Sequence, residues 1–149
     1  MPNLRTVPGL QSERLLNVLS KYPSVRIVTH DNPDPDAMAS GWGLATLLEE
    51  RLDCPVELVG GGAIIRAENR HMVELLDPPI HIVEKLDDDP NVATILVDCA
   101  LGTSNHLATR ERLMPVAIVD HHFGGQPSLD VPFTDIRPFV AATATIVAS

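Results

Sequence analysis

A chain of 149 residues is the size of one ordinary domain and long enough to bury a core without help from disulfides or metal. Eleven Lys and Arg against twenty Asp and Glu give a formal charge of −9, which excludes a basic groove tracking a long nucleic-acid duplex but leaves small anionic substrates open if cations mediate their binding. Two cysteines without a CxxC pair suit a reducing cytoplasm, and no apolar run is long enough for a signal core or a membrane span.

In chain order, Leu15, Leu16 and Leu19 mark a first helix, and residues 25–29 (VRIVT) read as a buried β-branched strand. Met38, Trp42, Ala45, Leu48 and Leu52 then recur at helical spacing, followed by a strand over 55–59 and a triple-glycine turn at 60–62. Met72, Val73, Leu75 and Leu76 predict a third helix, stopped by Asp77-Pro78-Pro79. The acidic triplet Asp87-Asp88-Asp89 reads as a solvated turn before strands over 92–97 and 116–119. Gly124-Gly125 marks another turn, and residues 140–149 read as helix. This β-α-β-α alternation predicts an α/β fold, a parallel sheet with helices on both faces.

In such a sheet, ligands bind beyond the carboxyl ends of the strands. There the chain places His30, Asp31, Asn32, Asp34 and Asp36, then Asp98, then Asp120, His121 and His122. Separately they have ordinary readings: Asp34 followed by Pro35 is a good helix N-cap, and Asp36 complements the helix dipole. Caps do not require several acids from separated segments to meet at one edge, where they would repel unless cations were present. Imidazole with carboxylates suits Mn²⁺, Fe²⁺, Co²⁺ or Mg²⁺, and two ions about 3.5 to 4 Å apart would activate a water and neutralise a phosphoryl group.

His30-Asp31-Asn32-Pro33-Asp34-Pro35-Asp36-Ala37-Met38-Ala39-Ser40, the strand-end Asp98 and Asp120-His121-His122 resemble, in order and spacing, motifs I to III of the DHH phosphoesterase superfamily. That group includes the exonuclease RecJ, family II inorganic pyrophosphatases, and oligoribonucleases that also act as pAp phosphatases. The resemblance implies a Rossmann-like DHH domain in which His30 and Asp34 hold one metal, Asp36 and His121 the other, and Asp98 bridges them. It also implies that Asp120 orients a ligand and that His122 faces the scissile phosphate or supports the nucleophile; Asn32 is placed to touch substrate or orient a ligand. Two Mn²⁺ per complete site are implied, with Mg²⁺ or Co²⁺ as substitutes.

Several residues are expected to stay outside the chemistry. Asp31 is expected to face solvent; His71, His81 and His106 to be surface or helix histidines; Ser40 to pack or cap rather than attack; and Pro35 to stiffen its loop. Ala37, Ala39, Ser40 and Gly41 are small enough to let backbone approach the site. The stretch Arg66-Ala67-Glu68-Asn69-Arg70 resembles oligoribonuclease and exopolyphosphatase-related members.

A further metal-binding aspartate and a C-terminal DHHA1 domain, both implied by the resemblance, have no place before Ser149, and Asp130 and Asp135 come too soon for the aspartate. Residues 1–149 are therefore expected to be the N-terminal DHH domain of a longer protein and, alone, nearly inactive with at most one well-held metal. The leading expectation is a manganese-dependent cytoplasmic phosphoesterase that binds short nucleic-acid substrates such as pAp, oligoribonucleotides or cyclic dinucleotides, with a homodimer allowed. The alternatives are inorganic pyrophosphatase or exopolyphosphatase, or a metal-binding regulatory module without turnover.

Overall fold

β-Branched runs become strands by pairing side by side in one direction. Strand β1 (Ser24–Val28) lies between β2 (Val56–Gly60) and β4 (Val92–Val97), and β4 in turn pairs with β5 (Ala117–Asp120). A computed structural model of the chain describes residues 10–101, 103–122 and 130–149. It adds two edge strands, β3 (Ile80–Ile82) beside β2 and β6 (Phe133–Ile136) beside β5. All five pairings are parallel, and the sheet order is β3-β2-β1-β4-β5-β6.

Alternation along the strands builds two cores. Val25 and Ile27 of β1, Ala93, Ile95 and Val97 of β4, and Ala117 and Val119 of β5 pack on one face. They meet Leu15 and Leu19 of α1 (Leu10–Leu19), Leu44 and Leu48 of α2 (Pro35–Arg51), and Ile146 of α5 (Thr143–Ala148). Val28, Leu96 and Ile118 point to the other face, against Leu107 and Ala108 of the short α4 (Leu107–Arg110). Both faces are thus covered by helix, as a parallel sheet requires. Helix α2 comes close to the sheet because residue 41 is glycine: a Cβ there would stand 2.4 Å from Leu58 Cδ1 of β2. The small residue serves helix–sheet packing rather than opening the site.

Three local readings are corrected. Residues 140–149 are helical only from Thr143. Trp42 lies at the surface, not on the buried stripe, and α3 (Ala67–Leu76) leaves Leu75 and Leu76 exposed, with Asn69 as its buried residue. The Gly124-Gly125 turn falls outside the described residues. No helix among the described residues is long and apolar enough to cross a membrane.

Connections from β1 and β4 run to opposite sides of the sheet, so the crevice between their carboxyl ends is the switch point where ligands bind in such folds. His30–Asp36 follow one strand and Asp98 the other.

Candidate metal centre

Asp34 caps α2: its side chain accepts from the Ala37 N–H at 2.9 Å, with Pro35 in the first turn, so the helix begins as the sequence reading expects. The cap leaves Asp34 about half exposed and facing His30, whose Nε2 is 3.7 Å from Asp34 Oδ1 and 3.4 Å from Asp98 Oδ2. On the other side of Asp98, His121 Nε2 is 3.4 Å from Asp98 Oδ1 and 3.4 Å from Asp36 Oδ2. The two oxygens of one buried carboxylate are thereby divided between two imidazole–carboxylate pairs.

Both imidazoles are anchored by their other nitrogen. His30 Nδ1 donates to the Asp31 carbonyl at 2.8 Å, and His121 Nδ1 donates to the Val140 carbonyl at 3.2 Å, which leaves Nε2 of each ring directed at the acids. Backbone carbonyls fix metal-ligating histidines in this way. Asp98 sits at the end of β4 with φ 58°, a left-handed conformation that aspartate tolerates better than most residues and that marks backbone strain at a functional turn. Asp34 and next Asp98 push the His30 imidazole up to about 10, while His30 holds the Asp34 carboxyl down at about 2. Burial pushes the Asp98 carboxyl up.

Asp36 does more than face His121. Helix α5 has Ala142 at its N-cap and no side-chain cap of its own. Asp36 caps it from α2, with Oδ2 accepting from the Thr143 N–H at 3.0 Å and Oδ1 from the Ala144 N–H at 2.9 Å. Thr143 Oγ1, fully buried, donates to Asp98 Oδ1 at 2.8 Å. Ser40, fully buried inside α2, donates its Oγ to the Asp36 carbonyl one turn back at 2.5 Å, the packing alternative expected of it.

Asp120 is buried at the end of β5. Its Oδ1 accepts from the His121 N–H at 2.8 Å and from His122 Nδ1 at 2.6 Å, while Oδ2 is buried without a partner among the described residues. The His122 side chain is half exposed, and among the described residues it is held through Nδ1. Asn32 takes a left-handed backbone (φ 53°); its Oδ1 accepts from the Ala63 N–H at 2.8 Å, tying the His30 loop to the glycine turn after β2.

Asp31 is only partly exposed and is ion-paired rather than free in solvent. Arg110 of α4 grips both of its oxygens, with Nη2 2.9 Å from Oδ1 and Nη1 on Oδ2, because a planar guanidinium matches a carboxylate fork to fork. His106 is buried rather than at the surface: it caps α4, with Nδ1 accepting from the Thr109 N–H and Nε2 against the Ala100 carbonyl. Burial lowers its pKa, in keeping with the neutral ring that an accepting cap requires. His71 and His81 are exposed as expected. Asp135 lies in β6 and is held by Arg137 at 2.8 and 2.7 Å.

The donor set fits a divalent cation. Two ligand atoms each about 2.1 Å from one ion, spread at a tetrahedral angle, stand about 3.4 Å apart. The imidazole-to-carboxylate separations here are 3.4 to 3.7 Å, longer than ordinary hydrogen bonds. Donor atoms of His30, Asp34 and Asp98 all lie within 4.8 Å of one another, as do those of Asp98, His121 and His122. In the second group His122 Nδ1 is already taken by Asp120, which leaves Asp36 as the better companion of His121.

Residues 24–149 match the DHH family, N-terminal domain, and the chain belongs to that family. Over 127 residues it is 37% identical to an uncharacterised protein of Methanocaldococcus jannaschii, covering 85% of this chain and 25% of that protein. Its fold superposes on the crystal structure of an exopolyphosphatase-related protein from Bacteroides fragilis with a TM-score of 0.55 and 14% identity, covering 95% of this chain and 43% of that one. The chain thus spans a quarter of one relative and less than half of the other.

Proposed function

We propose that this DHH-family chain carries the metal-binding half of a manganese-dependent phosphoesterase acting on short nucleotide substrates. The observation that carries the reading is the division of Asp98 between His30 and His121, each 3.4 Å from a different carboxylate oxygen. His30 and Asp34 with one Asp98 oxygen, and His121 and Asp36 with the other, are the residues that would hold two cations. Bound there, the cations would supply a water of lowered pKa and offset the charge of the phosphoryl group.

The chain's own residues do the remaining work. Asp120 holds His122 by Nδ1, so that Nε2 is presented at the rim, where it can give a hydrogen bond or a proton to a phosphate or leaving-group oxygen. Among the described residues, Arg110 and Arg137 are both committed to carboxylates, so phosphate charge at the centre falls to the cations. Arg66, exposed just before α3 on the same edge of the sheet, favours an extended anionic substrate such as a short oligonucleotide.

Hydrolysis assays with Mn²⁺ on pAp, short oligoribonucleotides, cyclic dinucleotides and pyrophosphate, using the full-length protein, test the reading. Release of nucleotide from the first three supports it. Activity on pyrophosphate alone moves the protein to the inorganic branch. Tight Mn²⁺ and nucleotide binding with no turnover on any of them makes it a regulatory module.

A further inference from the structure

We infer that Thr143 is a positioning residue that sets how the Asp98 carboxylate is shared between the two halves of the metal centre. The inference rests on the metal-binding reading above and extends it to a side chain outside the three motifs, 45 residues from Asp98.

A bridging carboxylate serves two ions only if its plane is fixed, with one oxygen toward each. Asp98 gains one such restraint from Thr143, whose hydroxyl donates to Oδ1 at 2.8 Å, on the oxygen that faces His121 rather than the one that faces His30. An ionised carboxylate only accepts, so the direction of this bond is settled. Thr143 is fully buried, and its β-branched side chain in the first turn of α5 has few rotamers, so the hydroxyl is aimed before any ion arrives. The same residue's N–H donates to Asp36 Oδ2 at 3.0 Å, which places both acids on the His121 side under one residue's control.

The two contacts can be separated. Thr143→Val keeps shape and backbone N–H, hence the Asp36 cap, and deletes the hydroxyl; Thr143→Ser restores the hydroxyl on a smaller side chain. Mn²⁺ titration calorimetry of the 149-residue chain, with thermal unfolding of the same proteins in EDTA, reads the outcome. The valine variant is expected to lose about 10- to 100-fold in Mn²⁺ affinity, the range for residues that orient metal ligands, and the serine variant to regain most of it. Unfolding in EDTA should not track that order. Wild-type affinity in the valine variant, or a serine variant no better than valine, overturns the inference while leaving the metal reading intact. A wild-type chain that binds no Mn²⁺ overturns the metal reading and the inference with it.

Discussion

His30 and Asp98 face each other with Nε2 3.4 Å from Oδ2, a spacing too long for a strong hydrogen bond and suited to two ligands of one cation. Asp98 also reaches His121 through its other oxygen, whereas Asp31, next to His30, is spent on Arg110. Asp98→Asn should therefore lower Mn²⁺ affinity far more than Asp31→Asn. Superimposable titration curves for the two variants would refute the bridging assignment.

Asp34 has two tasks that substitution can separate. Asparagine caps a helix about as well as aspartate, but alanine does not, so Asp34→Ala should cost about 1 kcal/mol more stability than Asp34→Asn. Both should weaken Mn²⁺ binding, since neither supplies a charged oxygen. Chemical denaturation in EDTA beside a metal titration checks both halves; an asparagine variant with wild-type metal affinity would reduce Asp34 to a cap.

Protons and metal compete for His30. Its folded pKa is raised from 6.5 to about 10, so its contribution to metal-free stability is complete below 6.5 and is lost as pH rises through about 10. Asp34 is lowered from 3.8 to about 2, so its contribution is present above 3.8 and is lost as pH falls through about 2. The melting temperature in EDTA should thus decline between pH 6.5 and 10, and His30→Gln should flatten that decline. Saturating Mg²⁺ should also flatten it, because the ion replaces the proton. A decline of equal slope in wild type and His30→Gln would show that other groups cause it.

Arg110 steadies His30 at one remove, by gripping Asp31, whose carbonyl holds His30 Nδ1. The pair is partly exposed, and such pairs contribute about 0 to 1 kcal/mol. Arg110→Ala should accordingly leave the melting temperature nearly unchanged yet speed hydrogen exchange at the Asp31 and Asn32 amides, which bond to the Asn105 and Gly61 carbonyls. Unchanged exchange there would mean that the loop is held without Arg110.

What could be read from the sequence follows from where the information lies. Strands β1, β4 and β5 are β-branched runs buried on both faces, and α2 announces itself with Asp34-Pro35, so local pattern and tertiary position agree. Strand β3 has three residues and β6 contains a polar Asp135 neutralised by Arg137; both are edge strands defined by their neighbours rather than by their own composition. The motif residues of the site were legible because each ends a strand or opens a helix. Thr143 and Arg110 were not, since their partners are 45 and 79 residues away and nothing local marks the contact. The Arg110 grip on Asp31 is hidden for the same reason, and the start of α5, at Thr143 rather than at residue 140, has no local signal because its cap is supplied by Asp36 from another helix.

The most direct test of the metal centre is anomalous X-ray diffraction from crystals of the chain grown with Mn²⁺. The expected result is a strong manganese peak among His30 Nε2, Asp34 and Asp98 Oδ2. A weaker one is expected among His121 Nε2, Asp36 and Asp98 Oδ1, because the Asp36 oxygens already accept two backbone N–H groups of α5. Crystals with ordered His30 and Asp98 side chains and no manganese between them, at millimolar Mn²⁺ and neutral pH, would contradict the account.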